Sequence, residues 1–157
     1  MDENKTRVLF VCLGNICRSP LAEVVVREAA RKRKLHHYHF ESAGTGSWHV
    51  GGAADSRAAA KAKEYGLDLS SHKAQQITSR DIADWEWFVA MDRENRSNLL
   101  DMGVEESRLL MMRQFETDGY MPNVPDPYYG GPDGFETSYQ MLAANAEKLL
   151  DFLESQK

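Results

Sequence analysis

Cys12 and Arg18 are the two residues whose types and spacing most directly suggest chemistry. They frame the string Val-Cys-Leu-Gly-Asn-Ile-Cys-Arg-Ser-Pro, residues 11–20, at the end of an apolar run. A cysteine thiolate is a strong nucleophile, and a guanidinium offers two parallel hydrogen-bond donors to phosphoryl oxygens. The pair therefore predicts a site at which a thiol meets a phosphate.

The residues around this pair predict the backbone that such a site needs. Arg7–Cys12 is predicted to be a buried strand, the Gly-Asn pair at 14–15 favours a turn, and Ser19–Pro20 are predicted to be the N-cap and first residue of a helix. A helix start after a strand and loop directs backbone N–H groups toward one point, where an anion is stabilised. Taken singly, Cys12 is also consistent with a small buried apolar residue, and Arg18 is also consistent with a surface salt bridge. These interpretations leave the rest of the string unexplained.

The rest of the chain alternates between strand-like and helix-like segments. Further strands are predicted at His37–Ser42, Trp85–Ala90 and Arg108–Arg113, and helices at Ser19–Lys34, Asp55–Tyr65, Arg93–Met102 and Phe135–Ser155. This alternation predicts an α/β fold: one doubly wound, mostly parallel four-stranded sheet with helices on both faces, in a single domain over residues 1–157. Ligands of such sheets bind at the carboxyl ends of the strands, where Cys12, Ser42 and Asp92 are expected to meet.

Composition and charge restrict the partners that we expect. A net charge of −5 argues against nucleic acid, and the basic cluster within residues 27–34 is expected to be a solvated helix end. Two cysteines five positions apart form neither a disulfide framework nor a zinc site, so we expect no metal, no cofactor and a cytoplasmic setting. The apolar run 8–13 is too short for a signal peptide or a membrane span.

The string at residues 11–23 resembles the signature of the low-molecular-weight protein tyrosine phosphatases. Residues 12–23 carry Cys-Leu-Gly-Asn-Ile-Cys-Arg-Ser-Pro-Leu-Ala-Glu without interruption. Similar blocks follow in the family's order: Ser42–Thr45 with Trp48 and His49, Asp55–Ala58, Ser71–Ala74, Ala90–Asp92 with Asn95, and Asp126–Tyr128. The resemblance covers essentially the whole chain and implies metal-independent hydrolysis of phosphotyrosine in proteins and of small aryl phosphates.

A thiol that cleaves a phosphomonoester needs an acid to protonate the departing oxygen. Asp126 lies between Pro125 and Pro127, which stiffen the backbone, so the residues alone fit either an ordinary turn or a carboxyl held over the loop. The resemblance favours the carboxyl over the loop. It implies that Cys12 attacks phosphorus while Arg18 binds the phosphoryl oxygens. Asp126 then protonates the tyrosine oxygen and later activates the water that hydrolyses the cysteinyl phosphate.

The other residues of the loop and its surroundings are predicted to bind the phosphate or to hold the loop. The loop positions are Leu13, Gly14, Asn15, Ile16, Cys17 and Ser19. We expect a left-handed or strained backbone at Asn15, which Asn tolerates. The resemblance implies that Ser42 and His72 support Asn15, with Glu23 in turn fixing His72. Asp92 either orients the guanidinium or caps the next helix.

Substrate selection is predicted to depend on the walls of the site. Leu13, Trp48, Tyr128 and Tyr129 are expected to form an apolar slot around an aryl ring, which favours phosphotyrosine over the shorter phosphoserine. Aromatic loop residues also serve in protein contacts or local packing. The related arginine phosphatases resemble this loop but carry Thr where this chain has Ile16, so phosphoarginine is the less favoured alternative.

Two further functions compete with this one. Thiol-dependent arsenate reductases resemble the same fold and loop but need additional cysteines, and none follows Cys17. A non-catalytic phosphotyrosine-binding module is expected to lack the nucleophile or the acid. Cys17 is either a small buried loop residue or the partner of Cys12 in a reversible, redox-induced disulfide. We expect a phosphotyrosyl protein as the partner, and a monomer or weak self-association.

Overall fold

The structure, a computed structural model, describes residues 5–116, 122–127 and 133–157. Its strands are β1 (Thr6–Cys12), β2 (Tyr38–Gly44), β3 (Trp87–Ala90) and β4 (Leu109–Met111), and its α-helices are α1 (Arg18–Lys32), α2 (Ser56–Glu64), α3 (Arg93–Asp101) and α4 (Asp133–Ser155). Short 3₁₀ helices cover Ser79–Asp84, Glu106–Arg108 and Gln114–Glu116. Within the described residues, no helix has the length and apolarity needed to cross a membrane.

The four strands form one parallel sheet in the order β2-β1-β3-β4, which confirms the predicted fold class. The chain leaves β1 toward one side to form β2 and later crosses to the other side to form β3. A crevice opens at the carboxyl end of the strand where the direction of winding reverses, and that strand is β1. The register pairs Cys12, the last residue of β1, with Gly44 of β2, so both strands end at the same level.

Both faces of the sheet are covered, because side chains of a strand alternate between its two faces. Val8 and Phe10 pack into one cluster with residues of α1, α2 and α4. Leu9 and Val11 pack into a second cluster, to which α3 contributes Leu99. This double burial explains why β1 is a continuous apolar run, and it fixes the strand that carries Cys12 between two packed layers.

Several predicted boundaries are wrong by a few residues. β2 continues two residues beyond Ser42, β3 begins at Trp87, and β4 is limited to Leu109–Met111. The N-cap assignment of Ser19 is also wrong: α1 begins at Arg18, its N-cap is Cys17, and no side chain caps it. The physical reason is that the Ser19 hydroxyl is engaged by Cys12 Sγ and by the Asn15 side-chain amide instead.

Candidate active site

The loop between β1 and α1 wraps around the sulfur of Cys12. The Asn15 amide donates a hydrogen bond to Cys12 Sγ at 3.2 Å, and the Ser19 hydroxyl lies 2.9 Å from the same sulfur. This arrangement requires a left-handed backbone at Asn15, whose φ is +57°, as the sequence predicts. The thiolate is the nucleophilic form of cysteine, and the Asn15 amide already directs one hydrogen-bond donor at this sulfur.

The side chain of Asn15 fixes the loop from behind. Its Nδ2 donates to Ser19 Oγ at 2.9 Å and to Ser42 Oγ at 3.0 Å, and its Oδ1 accepts from the backbone N–H of Gln75 at 2.9 Å. His72 Nε2 donates to the Asn15 carbonyl at 2.7 Å. Asn15 is fully buried, so every one of these bonds replaces a bond to water that the folded chain has lost.

Glu23 supports the same network by a route that differs from the expected one. Ser42 Oγ donates to Glu23 Oε1 at 2.8 Å, and the other carboxylate oxygen pairs with Arg27, one helical turn further along α1. The predicted contact between Glu23 and His72 is therefore wrong. The carboxylate lies on the side of α1 that faces β2, where the Ser42 hydroxyl and Arg27 are its donors.

Arg18 is 4% exposed and is held by two acceptors. Its Nη1 donates to Asp92 Oδ2 at 2.6 Å and to the carbonyl of Val124 at 3.0 Å. Asp92 is also the N-cap of α3, where its Oδ1 accepts from the Asn95 amide at 2.7 Å. Asp92 therefore both orients the guanidinium of Arg18 and caps α3. Burial alone lowers the pKa of Arg18, but the negative charges of Cys12 and Asp92 raise it above its ordinary value, so the guanidinium stays charged.

Asp126 is brought to the same place by the short segment 122–127. Its Oδ2 lies 3.7 Å from Arg18 Nη2, and a third of its side chain is exposed. The segment is tied to the end of β3, because the fully buried Val124 donates its amide hydrogen to the carbonyl of Met91 at 2.8 Å. A carboxyl group 114 positions away from Cys12 thus shares one site with the thiol and the guanidinium.

These groups surround a pocket of about 330 Å³. Its lining comprises Cys12, Leu13, Gly14, Ile16, Cys17, Arg18, Trp48, His49 and Asp126. Cys12 is only 2% exposed, whereas Trp48 is 73% exposed, so the thiol lies deep and the indole at the mouth. The predicted wall residues Tyr128 and Tyr129 lie outside the described residues.

Cys17 is the second thiol of the loop and is buried. Both Cys12 and Cys17 are free in the structure, so the disulfide between them stays a prediction. Burial raises the pKa of Cys17 strongly, and the negative charge of Asp55 raises it further. In the part of the chain that the structure describes, no group of three or more His, Cys, Asp or Glu side chains is placed to hold a metal ion.

Four residues that shape the site were given no role in it by the sequence. Gln75 and Val124 act through backbone groups, and His49 lies in the pocket lining beside Trp48. Residue types carry no signal for a backbone contact. Gly44 carries a steric signal: a Cβ there would lie 2.7 Å from the Leu13 carbonyl, so only glycine lets the loop approach β2.

Comparisons with known proteins agree with this geometry. The profile of the family described as "Low molecular weight phosphotyrosine protein phosphatase" matches residues 7–157. A Drosophila melanogaster protein with the name low molecular weight phosphotyrosine protein phosphatase 1 is 39% identical over 85% of this chain and 88% of its own. A human low molecular weight phosphotyrosine protein phosphatase is 38% identical over 96% of this chain and 98% of its own.

The fold comparison gives the same result. The crystal structure of a protein tyrosine phosphatase from Entamoeba histolytica superimposes with a TM-score of 0.89 at 38% identity, over 97% of this chain and 99% of that one. Sequence profile, relatives and fold therefore agree over nearly the whole length. The chain belongs to the low molecular weight phosphotyrosine protein phosphatase family.

Proposed function

We propose that this protein hydrolyses phosphotyrosine in proteins, and small aryl phosphates, through a phosphocysteine formed on Cys12. The observation that carries the proposal is the convergence of Cys12, Arg18 and Asp126 on one pocket, with the thiol at its base. Thiol, guanidinium and carboxyl are the three groups that this chemistry needs: a nucleophile, a phosphate clamp and a proton donor.

The loop and Arg18 are proposed to bind the three non-bridging oxygens of the phosphate. Nη1 of Arg18 is already engaged by Asp92 and Val124, which fixes the plane of the guanidinium before a ligand enters. Nη2 lies 3.7 Å from Asp126 Oδ2, and both residues line the pocket. Loop N–H groups ahead of α1 add donors whose positions the Asn15 network fixes. Preorganisation of this kind lowers the cost of stabilising charge in the transition state.

The first step transfers the phosphoryl group to sulfur. The Cys12 thiolate attacks phosphorus, a P–S bond forms, and the bond between phosphorus and the tyrosine oxygen breaks. Asp126, in its protonated form, gives its proton to the departing oxygen, so that a neutral phenol leaves. Arg18 balances the negative charge of the phosphoryl oxygens throughout.

The second step releases phosphate and restores the enzyme. The Asp126 carboxylate takes a proton from a water molecule whose oxygen attacks phosphorus. The P–S bond breaks, inorganic phosphate forms, and the electron pair returns to Cys12 as a thiolate. The hydrogen bonds from Asn15 and Ser19 stabilise that leaving thiolate.

The depth of the pocket supports phosphotyrosine as the substrate. With Cys12 at 2% exposure, a phosphate must be carried down to the sulfur by a spacer, and an aryl ring is longer than the methylene of phosphoserine. The apolar side chains of Leu13, Ile16 and Trp48 contribute to the pocket lining and match the faces of a ring. Ile16 has no hydroxyl to assist a water, which disfavours the alternative of a protein arginine phosphatase.

Hydrolysis assays on defined variants test the proposal. Wild-type protein in the presence of a metal chelator is expected to release phosphate from a phosphotyrosyl peptide faster than from matched phosphoseryl and phosphoarginyl peptides. Cys12→Ser is expected to abolish release. Asp126→Asn is expected to lower kcat/KM for the phosphotyrosyl peptide about a hundredfold, the usual scale of general-acid catalysis.

Asp101→Asn is the matched control, because Asp101 is an exposed carboxylate at the end of α3. It is expected to retain wild-type activity. Full activity of Cys12→Ser would refute the phosphocysteine. Faster release from the phosphoarginyl peptide would favour the arginine phosphatase instead.

A further inference from the structure

The segment that carries Asp126 is anchored at two consecutive residues, three and two positions before the carboxylate. Val124 forms one anchor, because its amide donates to the Met91 carbonyl at 2.8 Å and its own carbonyl accepts from Arg18 at 3.0 Å. This anchor fixes the height of the segment above β3 but fixes only one point along it.

Asn123 forms the second anchor. Arg113 Nη1 donates to the Asn123 carbonyl at 2.6 Å, and the Arg93 amide donates to Asn123 Oδ1 at 2.9 Å. Arg113 follows β4, so the donor comes from the edge of the sheet opposite β2. Two anchors on adjacent residues, approached from different elements, define the direction in which the chain continues toward Asp126.

The guanidinium of Arg113 is itself held in place. The Glu116 carboxylate accepts hydrogen bonds from Arg113 Nε at 2.8 Å and from Arg113 Nη2 at 2.9 Å, so the ion pair is bidentate. Only 19% of the Arg113 side chain and 27% of the Glu116 side chain are exposed. The same carboxylate accepts from Asn145 Nδ2 at 2.7 Å, and Asn145 is 1% exposed within α4. Hydrogen bonding to Arg113 keeps the pKa of Glu116 below its ordinary value, so the pair stays ionised.

We propose that Arg113 is a positioning residue for the proton-transfer steps, acting through the Asn123 carbonyl to place the Asp126 carboxyl. The proposal rests on the proposed function, because it assigns Arg113 a part in the work of Asp126. A chain of hydrogen bonds runs from Asn145 through Glu116 and Arg113 to the Asn123 carbonyl. Displacements of about 1 Å cost about a hundredfold in rate at a reacting centre, so a smaller shift of the segment still has a measurable effect.

Leaving groups of different acidity test this role. Phenol needs a proton as it leaves, whereas p-nitrophenol leaves far more readily as an anion. Arg113→Met is expected to lower kcat/KM about tenfold for phenyl phosphate and less than about threefold for p-nitrophenyl phosphate. Arg96→Met is the control, because the Arg96 side chain is covered to a similar degree, with 22% of its surface exposed, and it pairs with Glu106, which makes no hydrogen bond or ion pair with the described segment 122–127. It is expected to change neither value by more than about twofold.

A double-mutant cycle separates positioning from a general loss of structure. In protein that already carries Asp126→Asn, Arg113→Met is expected to add less than about a twofold loss for phenyl phosphate, because no proton donor remains to be placed. If Arg113→Met proves too unstable to assay, Glu116→Gln is expected to show the same substrate dependence in weaker form.

Two results would overturn the inference in distinguishable ways. An equal loss for both substrates, or an equal loss with and without Asp126, would refute the positioning role while leaving the proposed function intact. A wild-type protein that hydrolyses neither aryl phosphate would refute the proposed function and the positioning role together.

Discussion

Replacing Asn15 separates two contributions to the shape of the loop: side-chain hydrogen bonds and the left-handed backbone. Asn15→Ala removes three hydrogen bonds at 2.9 to 3.0 Å, which link the side chain to Ser19, Ser42 and the Gln75 amide. At about 1 kcal/mol of net stabilisation for each bond, the loss is about 3 kcal/mol. A non-glycine residue without a local hydrogen bond pays about 1 kcal/mol more at a φ of +57°.

Asn15→Gly is the matched variant, because glycine loses the same hydrogen bonds but accepts positive φ without strain. We expect the free energy of unfolding to fall by about 4 kcal/mol for the alanine variant and about 3 kcal/mol for the glycine variant. Equilibrium urea unfolding measures both values. An alanine variant as stable as the glycine variant would refute the backbone argument. Losses below about 1 kcal/mol in both variants would refute the hydrogen-bond argument.

Two further predictions concern groups with shifted pKa values. Because burial raises the pKa of Cys17, its thiol stays protonated near neutral pH. Iodoacetamide is therefore expected to label Cys12 at least about tenfold faster than Cys17, as measured by peptide mass spectrometry. Equal labelling of the two cysteines would contradict this prediction. Hydrogen bonds from Tyr38 and His37 lower the pKa of Glu154 from 4.5 to about 2. The ionised carboxylate therefore stabilises the folded state fully above its ordinary pKa of 4.5, and this stability is lost as the pH falls toward 2. The free energy of unfolding of the wild-type protein is expected to exceed that of Glu154→Gln by less than about 1 kcal/mol near neutral pH. Thermal unfolding scans are expected to show this difference vanish toward pH 2. A difference that stays constant with pH would contradict the linkage.

The sequence predicts the fold and the centre of the site because local patterns determine both. The apolar run of β1, the turn residues and the start of α1 are adjacent in the chain, so Cys12 and Arg18 are placed by short-range geometry. The parallel sheet then brings Ser42 and Asp92 to the same edge. These relations follow from strand ends alone.

The sequence could not predict the hydrogen-bond partners of individual side chains, because several possible partners lie within reach of each one. Ser19 has the residue type of an N-cap, but a sulfur and an amide compete for its hydroxyl, and both are brought by the loop. Glu23 and His72 line the same surface pocket, yet packing of α1 on β2 brings the Ser42 hydroxyl within hydrogen-bond distance of the carboxylate. Arg113 binds a backbone carbonyl ten positions away, and no residue type indicates a contact of that kind.

The missing side chain at Gly44 makes the end of β2 and the loop between β1 and α1 one steric unit. A methyl group at this position would meet the Leu13 carbonyl at 2.7 Å and the Asn15 Cβ at 3.2 Å. The loop therefore takes its shape partly from a neighbouring strand that begins more than twenty residues later. Transplanting residues 12–18 into another parallel sheet would carry the reactive groups but would not preserve the conformation of the loop, unless the adjacent strand also ends in glycine.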